Sequence, residues 1–155
     1  MKTKTNVMRI LDGQKISYQP YYYGDEALSG IEVATLLQQD PARVFKTLVT
    51  VGASKKYYVF VIPVAEELSL KKAASAVGEK NIAMIKSKDL LPLTGYIHGG
   101  CSPIGMKKFF HTTLDATVQS YESIMFSAGK VGYQVEMSPA DLASVIRYGV
   151  HDLTI

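Results

Sequence analysis

Two apolar stretches, Phe45–Val51 and Tyr57–Ile62, stand five residues apart, joined by Gly52-Ala53-Ser54-Lys55-Lys56. Both are rich in β-branched and aromatic residues, which suit a pleated, half-buried surface, and the short connection predicts a β-hairpin. A chain with such a hairpin has to complete a sheet around it. The rest of the sequence supplies the pieces in no regular alternation. Val7, Ile10 and Leu11 recur at helical spacing before Gly13, and Ile16–Tyr23 has strand character that Pro20 confines to an edge or a bend. Ser29-Gly30-Ile31-Glu32 is a capping box opening a helix to about Gln39, and Asp40-Pro41 starts one further turn. Ser69–Val77 is expected to be a helix closed by Gly78. A short strand is expected at Ile82–Ile85, then a helix at Ser87–Leu93 ended by Pro92 and Gly95. Strands follow at Phe109–Leu114, Ser123–Phe126 and Tyr133–Glu136. Ser138 caps a last helix along Leu142, Val145 and Ile146, and Val150–Ile155 finishes extended. This order is not a βαβ repeat, so a doubly wound parallel sheet is not expected. The fold class is mixed α/β (α+β), with a strongly curved sheet in one domain spanning residues 1–155, a length that suits a single domain.

Composition removes several classes. With 47% apolar residues the chain is too hydrophobic for disorder. Its longest strongly apolar run, Tyr57–Val64, is far short of the roughly 20 residues of a membrane-spanning helix, so no membrane partner is expected. The basic start at Met1-Lys2-Thr3-Lys4 meets Arg9, Asp12 and Gln14 before an apolar leader segment develops. One cysteine, Cys101, excludes an internal disulfide framework, and no Cys/His spacing suits zinc. A cytoplasmic protein without metal or cofactor is the expectation. Net charge is +3, but residues 41–130 carry 12 basic and 6 acidic groups and so hold the whole positive excess. The doublets Lys55-Lys56, Lys71-Lys72 and Lys107-Lys108 are either solvated faces or a shallow phosphate-binding surface, and composition does not choose between them.

Three features carry chemistry. Lys46 interrupts Val44-Phe45-Lys46-Thr47-Leu48-Val49, so it either snorkels out at an edge or faces a polar cleft, where its ammonium would suit a phosphate or a developing oxyanion. Gly99-Gly100-Cys101-Ser102-Pro103-Ile104-Gly105 combines glycines that permit close backbone approach with a proline that stiffens the loop. Gly100 and Gly105 have the spacing of a nucleotide P-loop. Met106 stands where that motif has lysine, and Pro103 has no N–H, so the P-loop is rejected. Ser127-Ala128-Gly129-Lys130, after a strand, is on its own ordinary turn chemistry.

Together, Phe45-Lys46-Thr47-Leu48, Leu70-Lys71-Lys72-Ala73-Ala74, Gly95–Gly105, Ser127-Ala128-Gly129-Lys130 and Val135-Glu136-Met137 resemble the YbaK/EbsC family of aminoacyl-tRNA deacylases. The match runs in order from about Lys15 to Ile146. The resemblance implies a barrel-like mixed sheet surrounded by helices. It also implies trans-editing, the hydrolysis of cysteine wrongly attached to proline tRNA, with alanine or another small amino acid as the alternative substrate. Its chemistry is substrate-assisted: the thiol of the attached cysteine attacks its own ester, and the protein orients the ester and stabilises the oxyanion. On this resemblance Lys46, Gly99, Gly100 and Ser102 serve catalysis, while Tyr23, Thr47, Ser127 and Gly129 bind substrate. The partners implied are the tRNA 3′ end and a synthetase, the prolyl one for proline tRNA, with the basic middle segment facing the tRNA.

The chain departs from the family pattern at His98, Cys101 and Ser29. Ser29 stands where a bulky aromatic is expected and would widen the pocket. Cys101 with His98 or His111 raises a rival, a cysteine hydrolase with its own nucleophile and base. A buried lone cysteine is more often a small hydrophobe, and His111 and His151 fall in strand-like segments where a structural or exposed role is expected. Tyr21 and Tyr22 compete with Tyr23 for the substrate-facing position. A tRNA-binding module without turnover is a further alternative, against which the intact Lys46 and glycine loop speak.

Overall fold

Among the described residues the apolar pattern folds into eight strands: β1 (Gln19–Tyr22), β2 (Phe45–Gly52), β3 (Tyr57–Pro63), β4 (Ile82–Met84), β5 (His111–Asp115), β6 (Ile124–Ser127), β7 (Tyr133–Met137) and β8 (Tyr148–His151). Five α-helices among the described residues accompany them: α1 (Asn6–Gly13), α2 (Gly30–Leu36), α3 (Leu70–Val77), α4 (Ser87–Thr94) and α5 (Pro139–Ala143). The molecule is a computed structural model that describes residues 3–155; Met1 and Lys2 of the basic start lie outside the described residues.

The expected hairpin is β2–β3, antiparallel from Phe45 opposite Pro63 to Val51 opposite Tyr57. It sits inside a five-stranded sheet of order β4-β2-β3-β5-β8, in which β5 and β8 join in parallel. A second, antiparallel sheet has the order β1-β7-β6, and Pro20 lies on its edge strand, where a missing N–H costs no ladder bond. The two sheets touch at one parallel bridge between Val44 and Met125. The strongly curved sheet expected from the sequence is thus two sheets turned about a shared corner.

The main core fills the space between them. Val7, Met8 and Leu11 of α1 pack with Phe45, Val49, Val59, Val61, Phe126 and Val135. The opposite face of the hairpin, Phe60 and Ile62, packs on Ala73 and Ala74 of α3 and on Leu153. Every residue of β3 after Tyr57 is therefore buried. Full burial of each large apolar side chain contributes roughly 1.5–3 kcal/mol, which makes β3 the anchor on which β2 is held. The C-terminal segment is fixed by buried Asp115. One carboxylate oxygen accepts from Thr117 N and Oγ1, and the other accepts from Leu153 N at 2.9 Å.

Three elements end differently from expectation. α2 stops at Leu36, because Gln38 adopts φ +56° and breaks the helical path. α5 is only five residues long, since Tyr148 must already pair with Thr112 of β5. α4 runs through Pro92 to Thr94 and is stopped by Gly95 at φ +84° rather than by the proline. A 3₁₀ turn at Ala116–Ser120, capped by Asp115, was not signalled by the periodicity.

Candidate active site

β4 pairs with β2 only from Thr50 to Gly52, and β6 bridges it only at Val44. Among the described residues no strand covers the Lys46–Leu48 stretch on that edge, so β2 and β6 part there like the arms of a fork. Backbone alternation fixes what the open edge presents. The Val44 carbonyl accepts from Val64 on the β3 side, whereas the Val49 carbonyl accepts from Ile85 on the β4 side. Thr47, in phase with Val49, therefore turns its backbone N–H and carbonyl into the fork. A cavity of about 190 Å³ fills it, smaller than the roughly 300–1,000 Å³ of pockets for drug-sized ligands, so it holds a small group.

Lys46 and Thr47, adjacent on a strand, project to opposite faces, and the cavity wraps the bare edge so that both line it. Lys46 is half-buried. Burial holds its pKa below the ordinary lysine value, with Glu67 and then Glu66 pulling the other way. The β6 arm contributes Ser127, whose Oγ accepts from Gly129 N at 3.1 Å and keeps its own proton free to donate. Gln134 of β7, directly across from Ser127, also lines the cavity. Two buried oxygens of residues in this wall have no hydrogen-bond partner among the described residues: Thr47 Oγ1 and Gln134 Oε1. Buried polar atoms are nearly always paired, so two orphans on residues of one cavity wall call for a physical explanation.

Of the three tyrosines competing for one role, Tyr23 lines the cavity. Tyr21 donates to Glu136 Oε1 and Tyr22 to Asp25, both outside it. Ser29 lines the mouth, where its hydroxyl caps α2 by accepting from Glu32 N.

The glycine loop forms the opposite lip. Gly100 N–H donates to the Ile97 carbonyl at 3.0 Å with Gly99 at φ +87°, the pattern of a type II turn in which Gly99 holds the position a side chain disfavours. Gly99, His98 and Cys101 line the cavity. Gly100 and Ser102 do not. The Gly100 N–H is spent on the turn, and the fully buried Ser102 turns its hydroxyl inward to accept from Ile104 N. Gly100 instead lets two loops meet, since a Cβ there would lie 3.0 Å from Val131 N. Gly129 also stands behind the wall, against the ring of Tyr96, whose hydroxyl donates to the Ile104 carbonyl. The fork thus gathers Lys46, Thr47, Tyr23, Gly99 and Ser127, while Gly100, Ser102 and Gly129 brace the loops that shape it.

Cys101 is no activated nucleophile. Burial pushes its thiol up to about 12, with no imidazole pulling it back. His98 is exposed at the mouth, and His111 lies at the start of β5 with its ring 5.8 Å from that of Tyr58, away from the cavity. Among the described residues no cluster of His, Cys, Asp and Glu suits a metal ion, and no helix is long and apolar enough to cross a membrane.

Residues 26–145, which contain nearly the whole fork, match the family described as the aminoacyl-tRNA editing domain. The chain belongs to this family. It is 47% identical over 144 residues to an Enterococcus faecalis (strain ATCC 700802 / V583) protein provisionally named Cys-tRNA(Pro)/Cys-tRNA(Cys) deacylase EbsC, covering 92% of this chain and 88% of that one. The resemblance carried by Phe45–Leu48 and Gly95–Gly105 is thereby borne out. Two solved structures share the fold. One, described only as a hypothetical protein, superposes with a TM-score of 0.88 at 20% identity, covering 96% of this chain and 99% of that one. The other, provisionally described as a trans-editing enzyme for prolyl-tRNA synthetase, gives 0.85 at 22%, covering 96% and 94%. The editing domain's residue that sequence reasoning missed is Gln134. Its signal was present: a polar side chain inside Tyr133-Gln134-Val135, the same kind of interruption that singled out Lys46.

Proposed function

We propose that this editing domain deacylates cysteinyl-tRNA(Pro) in the cytoplasm by substrate-assisted cleavage. The observation that carries the reading is the half-buried Lys46 ammonium in a small cavity whose own cysteine is held as a neutral thiol. The site offers charge stabilisation and no activated nucleophile, which suits a substrate that brings its own. The name of the Enterococcus relative supports cysteine as the amino acid.

In the reaction the sulfur of the attached cysteine bonds to its ester carbonyl carbon. The bond from that carbon to the ribose oxygen breaks, and the thiol proton ends on the ribose hydroxyl. The product is a cyclic thioester that water opens. Lys46 stabilises the oxyanion; a preorganised donor of this kind contributes about 2.7–4 kcal/mol. Gly99 and Ser127 flank the ester, and Tyr23 packs on the terminal nucleoside. Shape alone discriminates by only about 10–200-fold per methylene, so dependence on a thiol is the better filter.

The tRNA lies over the lip formed by α4 and the glycine loop. Lys86 precedes α4, Lys107 packs on Gly95, and Lys130 borders the same hollow as Gly95 and Tyr96. Lys72, by contrast, is ion-paired with Asp152 on the α3 side. Selection of proline tRNA falls to a partner, the prolyl-tRNA synthetase.

The test is deacylation of cysteinyl-, alanyl- and prolyl-tRNA(Pro) by wild type, Lys46→Ala and Cys101→Ala. Loss of the cysteinyl ester alone, abolished by Lys46→Ala and spared by Cys101→Ala, is expected. Preferred loss of alanine would move the assignment to alanine editing. No cleavage of any ester would leave a tRNA-binding module.

A further inference from the structure

Gln134 is 7% exposed, is the second residue of β7, lines the fork, and keeps its Oε1 without a donor among the described residues. Thr47 Oγ1 is in the same condition on β2. We infer that these two oxygens bind the α-amine of the attached amino acid, so that the site requires a free amino group and rejects an N-acylated one. The inference rests on the proposal that the cavity holds an aminoacyl ester.

The argument is one of donors and acceptors. The carboxamide oxygen of Gln134 only accepts, and Thr47 Oγ1 can accept as well as donate. One small group that donates to both must carry at least two protons on one atom. In an aminoacyl-adenosine end two groups have them, the α-amine and the adenine 6-amino group, and of these the α-amine is the one beside the ester; each ribose hydroxyl has one proton, and the ester carbonyl has none. Lys46 and Thr47 reach the cavity from opposite faces of β2. The ester carbonyl is therefore drawn to the ammonium on one side and the amine to the two oxygens on the other, which keeps the two nitrogen groups apart and points the carbonyl at its stabiliser. An acyl group on the amine removes one proton and adds bulk in a cavity of about 190 Å³. A chain under synthesis carries its last residue in that acylated form, so the requirement protects peptidyl-tRNA.

The experiment compares single-turnover deacylation of cysteinyl-tRNA(Pro), N-acetylcysteinyl-tRNA(Pro) and cysteinyl-tRNA(Pro) lacking the terminal 2′-hydroxyl by wild type, Gln134→Leu, Gln134→Glu and Thr47→Val. Acetylation is expected to slow wild type by about 5–150-fold, the factor that leaving one buried polar group unpaired represents. Gln134→Leu should slow the free-amine substrate comparably and the acetylated one little. Gln134→Glu, which keeps an acceptor, should retain the preference. Equal cleavage of free and acetylated esters by wild type would overturn the inference, as would equal slowing of both by Gln134→Leu. If the effect of Gln134→Leu vanished instead on the substrate lacking the 2′-hydroxyl, the ribose would be the ligand and the inference would fail. A second readout separates this from the functional proposal. The amide-linked analogue of 3′-cysteinyladenosine is not hydrolysed, and its free-amine form should bind wild type more tightly than its acetylated form, a preference lost in Gln134→Leu. That result would hold even if no ester were cleaved, and equal binding of the two analogues would refute the inference.

Discussion

Gly100→Ala is the sharpest test of how the cavity lip is built. A Cβ at Gly100 would stand 3.0 Å from Val131 N, 3.3 Å from the Lys130 carbonyl carbon and 3.4 Å from Lys130 Cα. All three are backbone atoms, so relief requires the 97–101 and 130–131 loops to move apart. Overpacking of this kind costs about 1–3 kcal/mol, or about 2–12 °C in Tm for a chain of this size. Gly99→Ala meets only ordinary contacts, at 3.6 Å to Ala27 and 3.7 Å to Val131, but must hold φ +87°. Its cost of about 1–2 kcal/mol is conformational. The two causes separate with asparagine, which tolerates the left-handed region: Gly99→Asn should recover part of the loss, and Gly100→Asn should be worse than alanine. Gly149→Ala, with nothing within 4 Å, is the control and should stay within about 0.5 kcal/mol of wild type. Thermal and chemical denaturation, run beside deacylation rates, decide the matter. A Gly100→Ala protein as stable as the control would refute the close approach of the two loops, and rescue of both positions by asparagine would show that backbone conformation alone matters.

Three further expectations follow from the site and its supports. Lys46→Met should lower the deacylation rate by about 10²–10³-fold, the range for removing one oxyanion donor. Because burial lowers the Lys46 pKa, wild-type activity should decline on the alkaline side at a pH below the ordinary lysine value of 10.5, and a rate profile unchanged by Lys46→Met would contradict its role. Glu136 is opposed by burial, yet hydrogen bonds from Ser123, Tyr21 and Arg43 together hold its carboxyl below the ordinary 4.5. Its folded pKa is depressed, so the stability it contributes is present above the unfolded value and is lost as pH falls through the folded one. Glu136→Gln should cost about 1–3 kcal/mol at neutral pH and flatten that acid limb in denaturation curves. Cys101, with its thiol near 12, should react slowly with alkylating reagents at neutral pH, and prompt alkylation that stops deacylation would revive the thiol-hydrolase reading.

Much of this was legible in the sequence, for local reasons. The hairpin is written in two apolar runs and a short connection. Each helix start announced by Ser29, Ser69 or Ser138 formed because capping is a bond between a side chain and an amide three residues on. Lys46 was found because a cation inside an apolar strand demands an explanation. What stayed hidden depends on contacts between distant segments. The Val44–Met125 bridge, which opens the fork, pairs residues that no local pattern relates. Ser102 was expected to serve the site with the glycine loop, but it lies fully buried off the cavity, where its hydroxyl accepts from Ile104 N. Gly100 signalled close approach, and the partner proved to be Val131 rather than a substrate. Gln134 went unread because one polar residue in a strand usually faces water; only the pairing of β7 with β6, which sets Gln134 beside Ser127, shows that it lines the cavity.

The central claim is that the fork holds a cysteine ester and lets its own thiol cut it. Single-turnover deacylation of cysteinyl-tRNA(Pro) against S-methylcysteinyl-tRNA(Pro) by the wild-type protein tests it most directly, since methylation silences the sulfur while leaving the ester and the amine intact. Rapid loss of the cysteinyl ester and persistence of the methylated one is the expected result. Cleavage of both at the same rate would contradict the account, because the attacking group would then come from water or from the protein.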